Sequence, residues 1–227
     1  MINNNNMIFL SHHLSESTPL YGNGKGISFK LDKNIDHGDS CNTMNLSFPN
    51  HSSTHIDFPC HFNNKGKNLN DYPADFWEFS NIDIIDLSGK VSDCQIVGPE
   101  LLNGFQGLST DLLIIKTGYE KYRGTDRYTL TPPGLSSELS DYIRKNFPMV
   151  KCIGMDLISI GSYANRDEGH KAHHSFLNPS FGEPILIIED MKLDNCYALE
   201  RVIVSPLLLD KADGAPCTII GYSRNEN

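Results

Sequence analysis

Apolar residues along this chain gather in short runs, separated by polar stretches that hold glycine and proline. Ile82–Leu87, Leu112–Lys116, Cys152–Met155, Ile185–Ile188 and Val202–Ser205 show no strict alternation and draw mainly on Ile, Val and Leu, the pattern of buried strands. The period changes after Pro133-Gly134. There Leu135, Leu139, Tyr142 and Ile143 share one helical stripe, and Ser136 or Ser137 supplies a cap, so a helix is predicted over Ser136–Phe147. A shorter helical turn is predicted from Gly98-Pro99-Glu100-Leu101-Leu102. Strands and helices alternate only through the middle of the chain, while the early part is loop-rich and β-like, and no internal repeat is present. A mixed α/β fold follows, rather than a doubly wound one. With 227 residues the chain can bury one large core, and it is expected to form a single domain over 1–227 with a frayed start at residues 1–7.

The segment His51-Ser-Ser-Thr-His55-Ile-Asp57-Phe-Pro-Cys-His61 has a different pattern. Its three histidines and its aspartate occupy odd positions, while Ile56, Phe58 and Cys60 hold even ones. On an extended chain this spacing puts His51, His55, Asp57 and His61 on one face and an apolar surface on the other. A helical pairing of His51 with His55 competes, but Pro49 and Pro59 bracket the run and a Ser-Ser-Thr stretch lies within it. Any one of these histidines could simply satisfy an ordinary hydrogen bond. Four metal-competent side chains together are a different matter, because imidazole plus carboxylate is the usual ligand set for zinc and is acceptable to manganese or iron.

Composition narrows the partners. A net charge of −9 and a pI near 5.4, with no lysine-rich run, argue against a basic surface for nucleic acid or anionic membrane. No apolar run approaches the roughly 20 residues that span a bilayer. Six cysteines without a C-x-x-C pair fit reduced thiols, and the start Met-Ile-Asn-Asn-Asn-Asn lacks the features of a signal peptide, so a cytoplasmic protein is expected. No G-x-S-x-G elbow points to a serine hydrolase.

Two downstream features can complete the site. The run Ile185-Leu-Ile-Ile-Glu189 ends a strand in a carboxylate, where α/β proteins place reactive groups, although a solvated strand end reads the same way. His170, His173 and His174 follow closely on one another upstream, and spacing alone does not choose among them. Phe48, Phe58, Phe62, Tyr72, Phe76 and Trp77 flank the ligands, and some of them are expected to line an apolar pocket, the rest being core. With Lys65 and Lys67 the nearest cations and no glycine-rich phosphate loop, an amide carbonyl suits the site better than a phosphate ester.

These residues resemble the cyclase family, whose best-known members are bacterial kynurenine formamidases. The family pattern H-x-G-T-H-x-D-x-P-x-H-F is met by His51, Thr54, His55, Asp57, Pro59, His61 and Phe62. Thr117-Gly118, Pro133-Gly134-Leu135, Gly154-x-Asp156-x-x-Ser159 and Pro206-Leu207 with Asp213-Gly214-Ala215-Pro216 continue the match in order, so it runs from about Phe9 to Ile220. The resemblance implies a swivelling β/β/α core and a homo-oligomer, a dimer or tetramer. It also implies one or two divalent metals per chain, zinc as in the formamidases or manganese as in the similar isatin hydrolases. Carried over, His51, His55 and Asp57 correspond to ligands of the first metal, Asp57 and Glu189 bridge to the second, and His61 is the general acid/base. The family's His-x-x-x-Leu segment selects His173 through Leu177, with His174 as the alternative. Ser53 stands where the family has glycine, and a substrate-stacking tryptophan of the formamidases is replaced near Tyr21, which is taken as a substrate-binding residue. The implied activity is hydrolysis of a small amide, N-formylkynurenine first, by metal-bound hydroxide. The alternatives are opening of a cyclic amide or lactone, a polyketide-type cyclase, or a metal-binding protein without catalysis.

Overall fold

Residues 6–223 are described by the computed structural model. Strand β1 (Asn6–Phe9) is followed by an outlying hairpin of β2 (Ser28–Lys33) and β3 (Thr43–Ser47), and then by the three-residue β4 (His55–Asp57). β5 (Glu78–Phe79), β6 (Ile82–Asp86), β7 (Ile96–Val97) and β8 (Leu112–Lys116) lead to helix α1 (Asp126–Thr129). β9 (Gly134–Leu135), α2 (Leu139–Asn146), β10 (Cys152–Met155), α3 (Arg166–Leu177), β11 (Leu186–Glu189), β12 (Leu199–Pro206) and β13 (Gly214–Ser223) complete the chain.

The main sheet runs β5-β12-β13-β4-β11-β10-β8-β6, with β1 added antiparallel to β13. Its two path ends, β5 and β6, are separated only by Ser80 and Asn81, so the sheet curls into a nearly closed barrel. β6, β8, β10 and β11 are parallel, and β8, β10 and β11 are buried along their whole length, which explains their unbroken apolar sequences. β4 lies antiparallel between β11 and β13. This mixed α/β architecture is the one the hydrophobic pattern predicts.

Several boundaries differ from the prediction. Asn6 and Met7 already pair with β13, so the start is ordered from residue 6, and residues 1–5 lie outside those described. The strand predicted at Ile185 begins one residue later, because the Ile185 N–H is bonded to Phe176 at the end of α3, and it extends to Glu189. The helix predicted from Ser136 begins at Leu139, since Leu135 is drawn into β9 against Val97. The extended run predicted over 51–61 shrinks to His55–Asp57: Ser53 adopts a left-handed φ of 57°, and Pro59–His61 form a turn of 3-10 helix. Of the six flanking aromatics, only Phe62 reaches the cavity beside this segment. Phe58, Tyr72, Phe76 and Trp77 pack on one another, with ring centroids 4.8–6.1 Å apart. Phe48 faces a separate groove. No helix among the described residues is long and apolar enough to cross a membrane.

Candidate functional site

On β4, His55 and Asp57 face the cavity while Ile56 between them is fully buried in the core. Register then supplies their neighbours. Glu189 of β11 lies directly opposite His55, and Gly214 of β13 lies opposite Asp57. His55 Nε2 is 3.3 Å from Glu189 Oε2 and 3.5 Å from Asp57 Oδ1. His55 Nδ1 pairs with the Ser53 carbonyl at 2.8 Å, which orients the ring.

His51 and His61 arrive by turns rather than by strand alternation. The left-handed Ser53 folds the chain so that His51 Nδ1 sits 2.8 Å from Asp57 Oδ1, a backbone form that costs a non-glycine residue about 1 kcal/mol. A Cβ on Gly214 would collide with the His51 ring, so glycine is required there for close approach. The 3-10 turn lays the His61 ring on that of His51, with centroids 4.0 Å apart. Asp213 joins the two rings: its Oδ2 is 2.8 Å from His61 Nδ1 and 3.2 Å from His51 Nε2, and Asn50 donates to its other oxygen.

From the opposite side α3 delivers His173. Its Nε2 lies 3.4 Å from Glu189 and 3.7 Å from Asp57, and its Nδ1 pairs with the Gly169 carbonyl at 2.8 Å. Phe62 stacks on the His173 ring at 4.6 Å. His170 is exposed and His174 forms no ion pair among the described residues, so of the three it is His173 that reaches the carboxylates, although its ring nitrogens fall outside both tight ligand groups around Asp57. Tyr21 lines the same cavity, of about 280 Å³, together with Leu20, Phe62 and Ile158.

Glu189 is fixed further by Ser159 and by the Ile160 N–H, at 3.1 and 2.6 Å. Next to it Asp190 has a φ of 53° and takes a bidentate contact from Arg123 and a 2.5 Å hydrogen bond from Tyr128, while Thr54 donates to its carbonyl. Sequence reasoning missed Asp213, Asp190, Arg123 and Tyr128 as parts of the site. Only Asp213, inside the matched Asp-Gly-Ala-Pro segment, left a signal that could have found it.

Burial works against charge on His51, His55 and His173, yet the carboxylates prevail. His55 is raised to about 9, with the Glu189 hydrogen bond and the Asp57 charge overcoming desolvation. His51 and His173 are raised in the same way, by Asp57 and by Glu189. Desolvation likewise fails to neutralise Glu189, which His173 and His55 hold well below the ordinary carboxylate range, or Asp213, held at about 2 by His61 and His51.

This pattern suits a cation. His51, Asp57 and His61 offer ligand atoms within 4.8 Å of one another, and so do His55, Asp57 and Glu189. Asp57 belongs to both groups, and its buried Oδ2 has no hydrogen-bond partner. An orphaned carboxylate oxygen amid nitrogen and oxygen donors fits a divalent ion. These groups divide the ligands differently from the expectation, which placed His51 with His55 and left His61 outside. The cause is register, which sets His55 across from Glu189.

A mixed barrel carrying a histidine–carboxylate cluster defines a class of metal-competent α/β protein, and sequence comparison narrows it. The sequence model of the family described as putative cyclase matches residues 8–162, and the chain belongs to this cyclase family. Kynurenine formamidase of Geobacillus thermodenitrificans is 28% identical over 213 residues, covering 93% of this chain and 95% of that protein. The Bacillus cereus kynurenine formamidase is 25% identical over 210 residues, covering 92% and 93%. Among solved structures, isatin hydrolase A from Labrenzia aggregata has the same fold, with a TM-score of 0.78 at 17% identity over 96% of this chain and 93% of that one. A "predicted metal-dependent hydrolase" from Bacillus stearothermophilus superposes with a TM-score of 0.73 at 19% identity, covering 96% and 98%.

Proposed function

We propose that this chain is a metal-dependent hydrolase of a small amide, acting on an N-formylated arylamine of the N-formylkynurenine kind. The observation that carries this reading is Asp57, shared by two ligand groups and left with a buried oxygen that accepts no hydrogen bond. The alignments with kynurenine formamidases along nearly the whole chain support the substrate class.

His51, His55, Asp57, His173 and Glu189 are the residues that would hold one or two ions, zinc first and manganese second. A divalent cation held there would supply an acidified water and a Lewis acid for the amide carbonyl. The chain's own residues do the rest. Asp213, kept ionised, accepts from His61 Nδ1 and so fixes the tautomer in which Nε2 is free to take a proton. His61 accepts the proton of the attacking water as the C–O bond forms. It returns that proton to the amine nitrogen as the C–N bond breaks, releasing formate and the arylamine. Leu20, Phe62 and Ile158 exclude solvent from the aryl group.

A homo-oligomer in the cytoplasm belongs to the same reading. The β2–β3 hairpin stands apart from the main sheet with Leu31, Met44 and Leu46 at least half exposed, as a contact between copies requires.

Elemental analysis of protein purified without added metal tests the reading, coupled to assays on formyl-arylamines, isatin and lactones. Stoichiometric divalent metal, loss of activity with EDTA, and loss of both metal and activity in His55→Ala are expected. Metal-free protein whose activity survives EDTA overturns it. Turnover of isatin or a lactone with none of formyl-arylamines moves the chain to ring opening.

A further inference from the structure

Arg166 opens α3 and lines the same cavity as the candidate metal centre. Arg166, His170 and His173 stand at i, i+4 and i+7 and therefore share one helix face, with Arg166 about 10 Å along the axis from His173 at 1.5 Å per residue. All three line the cavity. Among the described residues that do so, Arg166 is the sole lysine or arginine.

Its guanidinium is uncommitted. Arg123, Arg127, Arg144 and Arg201 each meet a carboxylate, at Asp190, Asp93, Asp141 and Glu78. The Arg166 side chain, exposed at the mouth of the cavity, has no hydrogen bond or ion pair among the described residues; it lies over the Tyr163 ring, 5.6 Å from the centroid, and its charge acts on the Tyr21 hydroxyl. Placing an arginine over an aromatic ring restrains the guanidinium and leaves its N–H edge able to grip a carboxylate bidentately. Tyr163 is itself held: it meets Tyr21 edge-on at 5.3 Å, and a Cβ on Gly22 would strike its ring. Tyr21 and Arg166 thus form one braced wall of the cavity with Tyr163 behind them.

Charge gives this wall its meaning. In a chain of net charge −9, whose cavity also carries Asp57, Glu189 and Asp190, an anionic ligand group needs a cationic side chain to meet it. Apolar Leu20, Phe62 and Ile158 complete the lining and suit an aryl body between the two polar ends. We propose that Arg166 is a specificity residue that grips a carboxylate on the amine side of the substrate, selecting carboxylated amides over neutral ones. This rests on the amide-hydrolase reading above.

The test compares N-formylkynurenine with its methyl ester, which removes the charge and keeps the reacting group. Metal-loaded wild type, Arg166→Met and Arg166→Lys are assayed on both. The ratio of kcat/KM for acid over ester is expected to fall about 10- to 100-fold in Arg166→Met, chiefly through KM, and to recover partly in Arg166→Lys. Because it is a ratio, a partly unfolded preparation does not affect it. An unchanged ratio overturns the proposal and leaves Arg166 a surface residue resting on Tyr163. If wild type hydrolyses neither compound, the amide reading fails separately. Calorimetric binding of kynurenine and its methyl ester then decides: preference for the acid, lost in Arg166→Met, supports the carboxylate subsite, and equal binding overturns it.

Discussion

At Asp57 a carboxylate is almost fully buried, an arrangement that costs several kcal/mol unless its oxygens are paired. His51 pairs one oxygen, while the other accepts no hydrogen bond and has only the His173 ring nitrogen nearby, at 3.7 Å, so the residue is built to be completed by a ligand. His61 stands on the cavity wall beside this group, more exposed than His55, and it is tied to Asp213. Converting it to asparagine is expected to lower kcat by about 10²–10⁴-fold while stoichiometric metal is retained. Loss of metal from His61→Asn, read by elemental analysis, would instead make it a ligand, a role its closeness to His51 and Asp57 permits.

Among the elements, α3 carries both His173 and the proposed anion clamp, and its seating depends on two glycines. A Cβ on Gly169 would meet the Gly161 backbone, and one on Gly161 would meet Gly169. Gly169→Ala should gain about 1 kcal/mol of helix propensity and lose about 1–3 kcal/mol by pushing the helix off its bed. The expected result is lower stability in denaturant unfolding, together with weaker metal retention because His173 moves with the helix. A variant as stable as wild type or more so would mean that α3 has room to shift.

Across the whole molecule, His12 and Glu120 join the segment after β1 to the turn after β8, 3.6 Å apart. Burial lowers His12 to about 4 and raises Glu120 to about 7, although the Leu193 N–H opposes the second shift. Between their ordinary and folded values the two act in opposite directions. Folded Glu120 keeps a proton that the unfolded chain has released, so its contribution to stability falls as pH rises from 4.5 to about 7. Unfolded His12 holds a proton that the folded chain lacks, so its contribution rises with pH from about 4 to 6.5. In Glu120→Gln the His12 slope is left unopposed. Unfolding free energies at pH 5 and 8 should therefore show a larger gain towards pH 8 in the variant than in wild type, and an equal or smaller gain contradicts this assignment.

The sequence alone determined what each segment had to bury and which side chains could bind a metal. Leu112–Lys116 and Cys152–Met155 are strands at their predicted bounds, because unbroken apolar runs have only a sheet interior to fill. The His51–His61 run carried the donor chemistry in its residue types. Tertiary structure decided how those donors meet. His51 and His61 converge through a left-handed serine and a 3-10 turn, conformations that no hydrophobic period encodes. His173 was ambiguous because α3 buries a face made of Gly169, Ala172, His173 and Phe176, too weakly apolar to read as a stripe, and only its packing against β11 turns that ring inward. Asp213, more than 150 residues from both of its partners, reaches them because β13 lies beside β4. Pairing between strands so distant in sequence is set by which surfaces can be buried together, and that is a property of the assembled sheet rather than of any one segment.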